Sequence, residues 1–120
     1  MSGFIERDDW NTFLDEFSKR NQFRSTRLEV FGDSGAQEEE VHLPLVGITF
    51  DEKGSEAGSI EVILGGEAAN DSRHVTHLVA NVERITPLIG ATGLEEGLGI
   101  EAVDGARTLV RFEQLPQLQA

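Results

Sequence analysis

The sequence predicts an α+β domain in which one N-terminal amphipathic helix packs on a curved, mainly antiparallel sheet of six or seven strands, as a roll or partly open small barrel. Three observations carry this expectation. Trp10, Phe13, Leu14 and Phe17 recur at the helical spacing i, i+3, i+4 and i+7. After Arg24 the apolar period shortens to two. Near the end, two alternating runs flank Val103-Asp104-Gly105, the mark of a hairpin. The 120 residues fit a single domain spanning 1–120, with the helix at about 8–21 and the strands within 25–115.

Asp8 and Asp9 fall in the first turn of the helix and Lys19 and Arg20 in its last, which suits the helix dipole. Its aromatic stripe is read as the cover of the sheet. In the first strand Leu28 and Val30 oppose Arg27, Glu29 and Phe31, and Gly32-Asp33-Ser34-Gly35 then turns the chain. Val41 and Leu43 continue past Pro44 to Val46, Ile48 and Phe50, as one long bent strand or two short ones, with proline at a bend or an edge. A polar loop, Asp51 to Ser59, leads to Ile60, Val62 and Leu64, and Gly65 to Arg73 reads as another loop.

His74 to Ile85 is apolar enough for a strand, yet its pattern is mixed. Val75, His77 and Val79 share one face and Leu78, Ala80 and Val82 the other, which burial on both faces or a bulge explains. Pro87 to Glu96 reads as irregular. For the final hairpin, a two-residue turn at Asp104-Gly105 would pair Leu98 with Arg111 and Ala102 with Arg107, mixing apolar and charged side chains on one face. A three-residue loop with Gly105 in the left-handed conformation instead sets Ala102 against Ala106, Ile100 against Thr108 and Leu98 against Val110. Pro116 ends the last strand. The order of a helix followed by bent antiparallel strands is superficially similar to the Sm fold, for which the chain is long.

Composition narrows the functional classes. The chain has no cysteine, so disulfides, thiolate metal sites and cysteine nucleophiles are excluded. Ten basic against 22 acidic residues give a net charge of −12, which disfavours nucleic acid and anionic membranes and favours a basic partner. Solubility, as in a saline cytoplasm, is the simpler reading of the acids; an acidic surface that docks a basic protein or mimics nucleic acid is the sharper one. No apolar run approaches a membrane span and the N-terminus lacks a secretory pattern, so a cytoplasmic location is expected.

The one constellation suited to chemistry is His74-Val75-Thr76-His77, with His42 as a third imidazole. Imidazoles with carboxylates suit zinc, iron, nickel or manganese. On a strand, however, His74 and His77 point to opposite faces, so one site could hold both only across a bulge. His42 alternates with Glu38 and Glu40, the ordinary setting of a surface histidine. No Gly-x-Ser-x-Gly elbow occurs. Gly90, Gly93, Gly97 and Gly99 lack the lysine and hydroxyl residue of a phosphate loop and read as loop glycines. No pair of carboxylates stands out, and no catalytic residue or cofactor is implied.

The chain resembles a family of small uncharacterised bacterial proteins known only as a domain of unknown function. The residues that carry the resemblance are Arg7, Asp9, Trp10, Phe13, Phe17 and Ser18, then Leu28-Glu29-Val30, Gly35-Ala36-Gln37, Leu43-Pro44-Leu45, His74-Val75-Thr76-His77, and Ile100 through Phe112. Most are packing and turn positions. The resemblance implies the fold and transfers no reaction or ligand.

Three functions are thus in play. The first is a non-enzymatic, acidic interaction or accessory domain. A metal-binding module or metal-dependent enzyme would use His77 with His74 or His42, and a small-ligand carrier would hold its cargo under the helix between Trp10, Phe13 and the strands. Self-association through open sheet edges is a further expectation, which bulges, charges and Pro44 would oppose.

Overall fold

The computed structural model describes residues 4–32, 35–52, 58–65 and 74–113, and of 35–42 the backbone alone. A 3-10 turn, Arg7–Asp9, leads into the helix α1, Trp10–Asn21. Seven strands follow: β1 (Ser25–Gly32), β2 (Gly35–Asp51), β3 (Ser59–Gly65), β4 (His74–Val79), β5 (Val82–Ile89), β6 (Glu95–Ala102) and β7 (Arg107–Phe112). They form one antiparallel sheet in the order β4-β3-β2-β1-β7-β6-β5. This is the expected α+β architecture, with an open sheet.

β2 is a single bent strand of 17 residues. Its first half pairs with β1 as far as Pro44, and its second half pairs with β3 from Leu45 onward. At the start of the second half the register against β3 slips between Leu45 and Gly47, and a bulge bends a strand by adding one unpaired residue. Pro44 therefore sits inside a strand, at the point where β2 passes from one half of the sheet to the other.

β4 and β5 occupy opposite ends of the strand order, yet only Ala80 and Asn81 separate them. Three Cα steps span at most about 11 Å, so the two ends of the sheet meet at this corner and the sheet is rolled. Asn81 makes the corner with a φ of 54°, a left-handed conformation that asparagine tolerates. His74 to Ile85 is consequently not one bulged strand. The mixed apolar pattern arises because two strands, each with its own phase, are joined without glycine or proline.

The irregular stretch expected over Pro87 to Glu96 is also shorter. β5 continues through Pro87 to Ile89 and β6 begins at Glu95. Gly97 and Gly99 lie inside β6, opposite Arg111 and Leu109, and are not loop glycines. A Cβ on Gly97 would collide with the carbonyl oxygen of Val110, so close approach of the two backbones requires glycine there. The final hairpin has the expected register. Leu98 faces Val110, Ile100 faces Thr108, and the Ala102 N–H donates to the Ala106 oxygen at 2.9 Å. Gly105 has a φ of 94°.

The inner face of the roll is filled by Leu28, Leu45, Ile48, Ile60, Val62, Leu64, Ile85, Leu98, Ile100 and Val110, each at most 1% exposed. Trp10, Leu14 and Phe17 close the core from the helix, and Phe13 packs against it half-buried. Rings fill the space beneath α1. Trp10 meets Phe50 edge-on at 4.9 Å, Phe13 lies 5.4 Å from Phe17, and Phe17 stacks on Phe112 at 5.8 Å, all favourable aromatic separations. The aromatic stripe thus covers the sheet.

Candidate functional site

The histidines are placed by the β3–β4 ladder, which runs without a register shift. His77 lies opposite buried Val62, whereas exposed His74 lies opposite Gly65. Three residues apart on a regular strand, the two imidazoles point to opposite faces, and no bulge brings them together. Among the described residues, no three of His, Asp or Glu gather closely enough to hold a metal ion. The side chains of His42, Glu38 and Glu40 lie outside the described residues, as do Asp33-Ser34, 53–57, 66–73 and the tail after Glu113.

The densest polar cluster among the described residues was not legible as a motif. It joins the C-terminal end of α1 to the start of β6. Arg20 donates to both carboxylate oxygens of Glu95, from Nε at 3.1 Å and Nη2 at 2.7 Å. Buried Asn21 donates to Glu95 Oε1 and to the Phe17 carbonyl, both at 2.9 Å. Arg24 donates to Asn21 Oδ1 at 2.9 Å and to the Glu95 main-chain oxygen at 2.8 Å, while its guanidinium lies 4.4 Å above the Phe112 ring. The hydrogen bonds from Arg20 hold the Glu95 carboxyl below its ordinary range against the opposing effect of burial, and the same contact raises Arg20. Bidentate pairing of this kind fixes geometry. It leaves Glu95 an ionised acceptor, a poor proton donor.

A groove of about 370 Å³ separates α1 from the second half of β2, lined by Asn11, Asp15 and Lys19 on the helix, by Gln22 just after it, and by Val46 and Thr49 on the strand. Its floor is a strand edge that β1 no longer covers. Ser18 covers part of it: the Ile48 N–H donates to Ser18 Oγ at 2.9 Å, and that hydroxyl donates to the Ile48 oxygen at 3.3 Å. Lys19 pairs with Asp15 at 3.2 Å beside the groove, so its ammonium is already engaged. No nucleophile and base converge there among the described residues.

Paired charges also cover the outer face of the sheet. Arg27 and Arg111 reach Glu29 at 3.2 and 3.0 Å, and Arg84 reaches Glu101 at 3.1 Å. A model of the family of unknown function DUF5335 matches residues 2–120. The chain belongs to this family. No curated protein and no solved structure matches it. Membership therefore brings no reaction or ligand to these clusters, and their chemistry must be read from their own geometry. No helix among the described residues is long and apolar enough to cross a membrane.

Proposed function

We propose that this member of the family is a non-enzymatic interaction or accessory domain of the bacterial cytoplasm that meets partners with basic surfaces. The observation that carries the reading is the state of Glu95. Its carboxylate accepts three hydrogen bonds from Arg20 and Asn21, which hold it ionised and tie the helix to the sheet. A general acid or base needs a proton affinity near the working pH, and the hydrogen bonds from Arg20 move Glu95 away from it. Lys19, Arg20, Arg27, Arg84 and Arg111 are all paired with acids. With 22 acids to ten bases, the excess carboxylates are the groups left to attract a cationic partner.

The test has two arms. Incubation with ester, phosphoester, peptide and glycoside reporters, with and without zinc, manganese, nickel or iron, is expected to give no repeated turnover. A lysine- and arginine-rich peptide is expected to bind with an affinity that falls as salt rises. Saturable turnover that disappears on substitution of a single side chain would overturn the proposal.

A further inference from the structure

The two edges of the sheet are treated in opposite ways. At β5 the edge is protected: the Ile5 N–H donates to the outward Ile85 oxygen at 3.1 Å, and Arg7 Nη1 reaches the Val82 oxygen at 3.4 Å. Pro87, two residues beyond Ile85, has no N–H to offer on that same outward side. The β5–β6 ladder carries two register shifts, and Glu83 and Arg84 add charge. All of these devices discourage pairing with another strand.

β4 has none of them. Alone among the seven strands, His74–Val79 contains no Asp, Glu, Lys or Arg, and it contains no proline or bulge. The direction of its free hydrogen-bonding groups follows from Ser18. Because Ile48 turns its N–H and C=O toward Ser18, its partner Val62 must turn its own toward β4, where it faces His77. In an antiparallel ladder this direction alternates. Val75, His77 and Val79 thus bond to β3, while His74, Thr76 and Leu78 point their backbone groups outward. Among the described residues, nothing bonds to those outward groups. The side chains of the same three residues are exposed, Leu78 by 44%.

We propose that the β4 edge pairs with the β4 edge of a second copy of this chain, antiparallel about a two-fold axis at Thr76. In that register Thr76 opposes Thr76 of the copy and His74 opposes Leu78 of the copy. All three are pairs of the hydrogen-bonded type, giving about six backbone hydrogen bonds across the seam. The charge pattern selects a second copy as the occupant. Two chains of net charge −12 repel each other over most of their surfaces, and β4 is the strand at which they meet without bringing carboxylates face to face. Any extended strand can make these backbone hydrogen bonds, but an identical neutral one satisfies two open edges at once and does so symmetrically. Head-to-tail addition to β5 is blocked by Ile5 and Pro87. The inference does not depend on the function proposed above, because an enzyme or a binding domain could assemble in the same way.

Absence of cysteine makes the register directly testable. Cα atoms of a hydrogen-bonded antiparallel pair lie about 5.5 Å apart, within disulfide range. Thr76→Cys treated with a thiol oxidant is therefore expected to form a covalent two-copy species. His74→Cys and Leu78→Cys should each fail alone, since equivalent atoms are then about 13 Å apart along the strands, yet link when mixed. Sedimentation of the unmodified chain should show two copies, with a fraction that rises with salt as repulsion is screened; binding of a basic peptide shows the reverse trend. Thr76→Lys and, separately, Thr76→Pro should give single copies that retain the circular dichroism of the parent. A parent chain that sediments as one copy at every concentration overturns the proposal, even if it captures an extended peptide of another protein. A dimer that survives both the lysine and the proline substitution at Thr76 overturns it too, as does one in which the Thr76→Cys variant links no better than the His74→Cys variant.

Discussion

Ser18 and Ile48 exchange two hydrogen bonds, with the strand N–H donating to the helix hydroxyl at 2.9 Å and the hydroxyl donating back to the strand carbonyl at 3.3 Å. One side chain thereby substitutes for a neighbouring strand at the point where β2 has left β1. Ile48 is 1% exposed, and its backbone groups lie at the floor of the groove beside α1. Ser18→Ala should cost about 1–3 kcal/mol, the penalty for a buried unpaired backbone group. Urea unfolding measures it, and an unchanged midpoint would show that another donor and acceptor take over.

The tie between Glu95 and α1 should make stability depend on acid. A carboxyl held below its ordinary range in the folded chain contributes stability that is complete above the unfolded-state value and is lost as pH falls through the folded one. Glu95→Gln should therefore unfold more easily than the parent at neutral pH, by about 1–2 kcal/mol given the exposure of Arg20. The gap should narrow on acidification below the usual carboxylate range. A gap that is constant with pH would place the effect in packing.

Gly97 has no room for a side chain against the β7 backbone. Gly97→Ala should cost about 3 kcal/mol by forcing β6 and β7 apart, whereas Gly93→Ala, with open space around it but a φ of 87°, should cost about 1 kcal/mol through backbone strain alone. Thermal unfolding of the two variants separates these causes. Equal losses would contradict the close approach.

Phe23 follows α1 with a φ of 72° and is 74% exposed. The left-handed conformation costs a non-glycine residue about 1–2 kcal/mol, and so exposed a ring recovers little of that by burial. Phe23→Gly should raise stability by about 0.5 kcal/mol after the entropic cost of glycine. A lower unfolding midpoint would reveal contacts of the ring that outweigh the strain.

Because His74 and His77 face opposite sides of β4, zinc, nickel or manganese added after chelation should leave the unfolding midpoint unchanged, in the parent and in His77→Ala alike. A ligand that binds only the folded state must raise it. A saturable rise abolished by His77→Ala would place a metal site at His77.

Local chemistry made the final hairpin legible. Gly105 supplies a left-handed residue, and only the three-residue loop keeps Leu98, Ile100, Thr108 and Val110 on one face. The helix was legible for the same reason, since Trp10, Leu14 and Phe17 repeat with its period and all are buried. The corner between β4 and β5 was hidden, because Ala80 and Asn81 carry no strong turn signal and the apolar run passes through them. The Glu95 cluster was hidden for a different reason. Its partners Arg20 and Asn21 lie more than 70 residues away, and with 22 acids in the chain only the rolled sheet decides which one meets the helix. The open edge of β4 combines both cases: its neutrality is visible in the sequence, but its position at the end of the sheet is a property of the topology.

Amide hydrogen exchange across β4, followed as a function of chain concentration, distinguishes a paired edge from an open one. The amides of Val75, His77 and Val79 should be protected at every concentration, while those of Thr76 and Leu78 should exchange rapidly in dilute chain and become protected as copies pair. Thr76 and Leu78 amides that stay unprotected at high concentration would contradict pairing through β4, and protection without alternation in dilute chain would contradict the open edge itself.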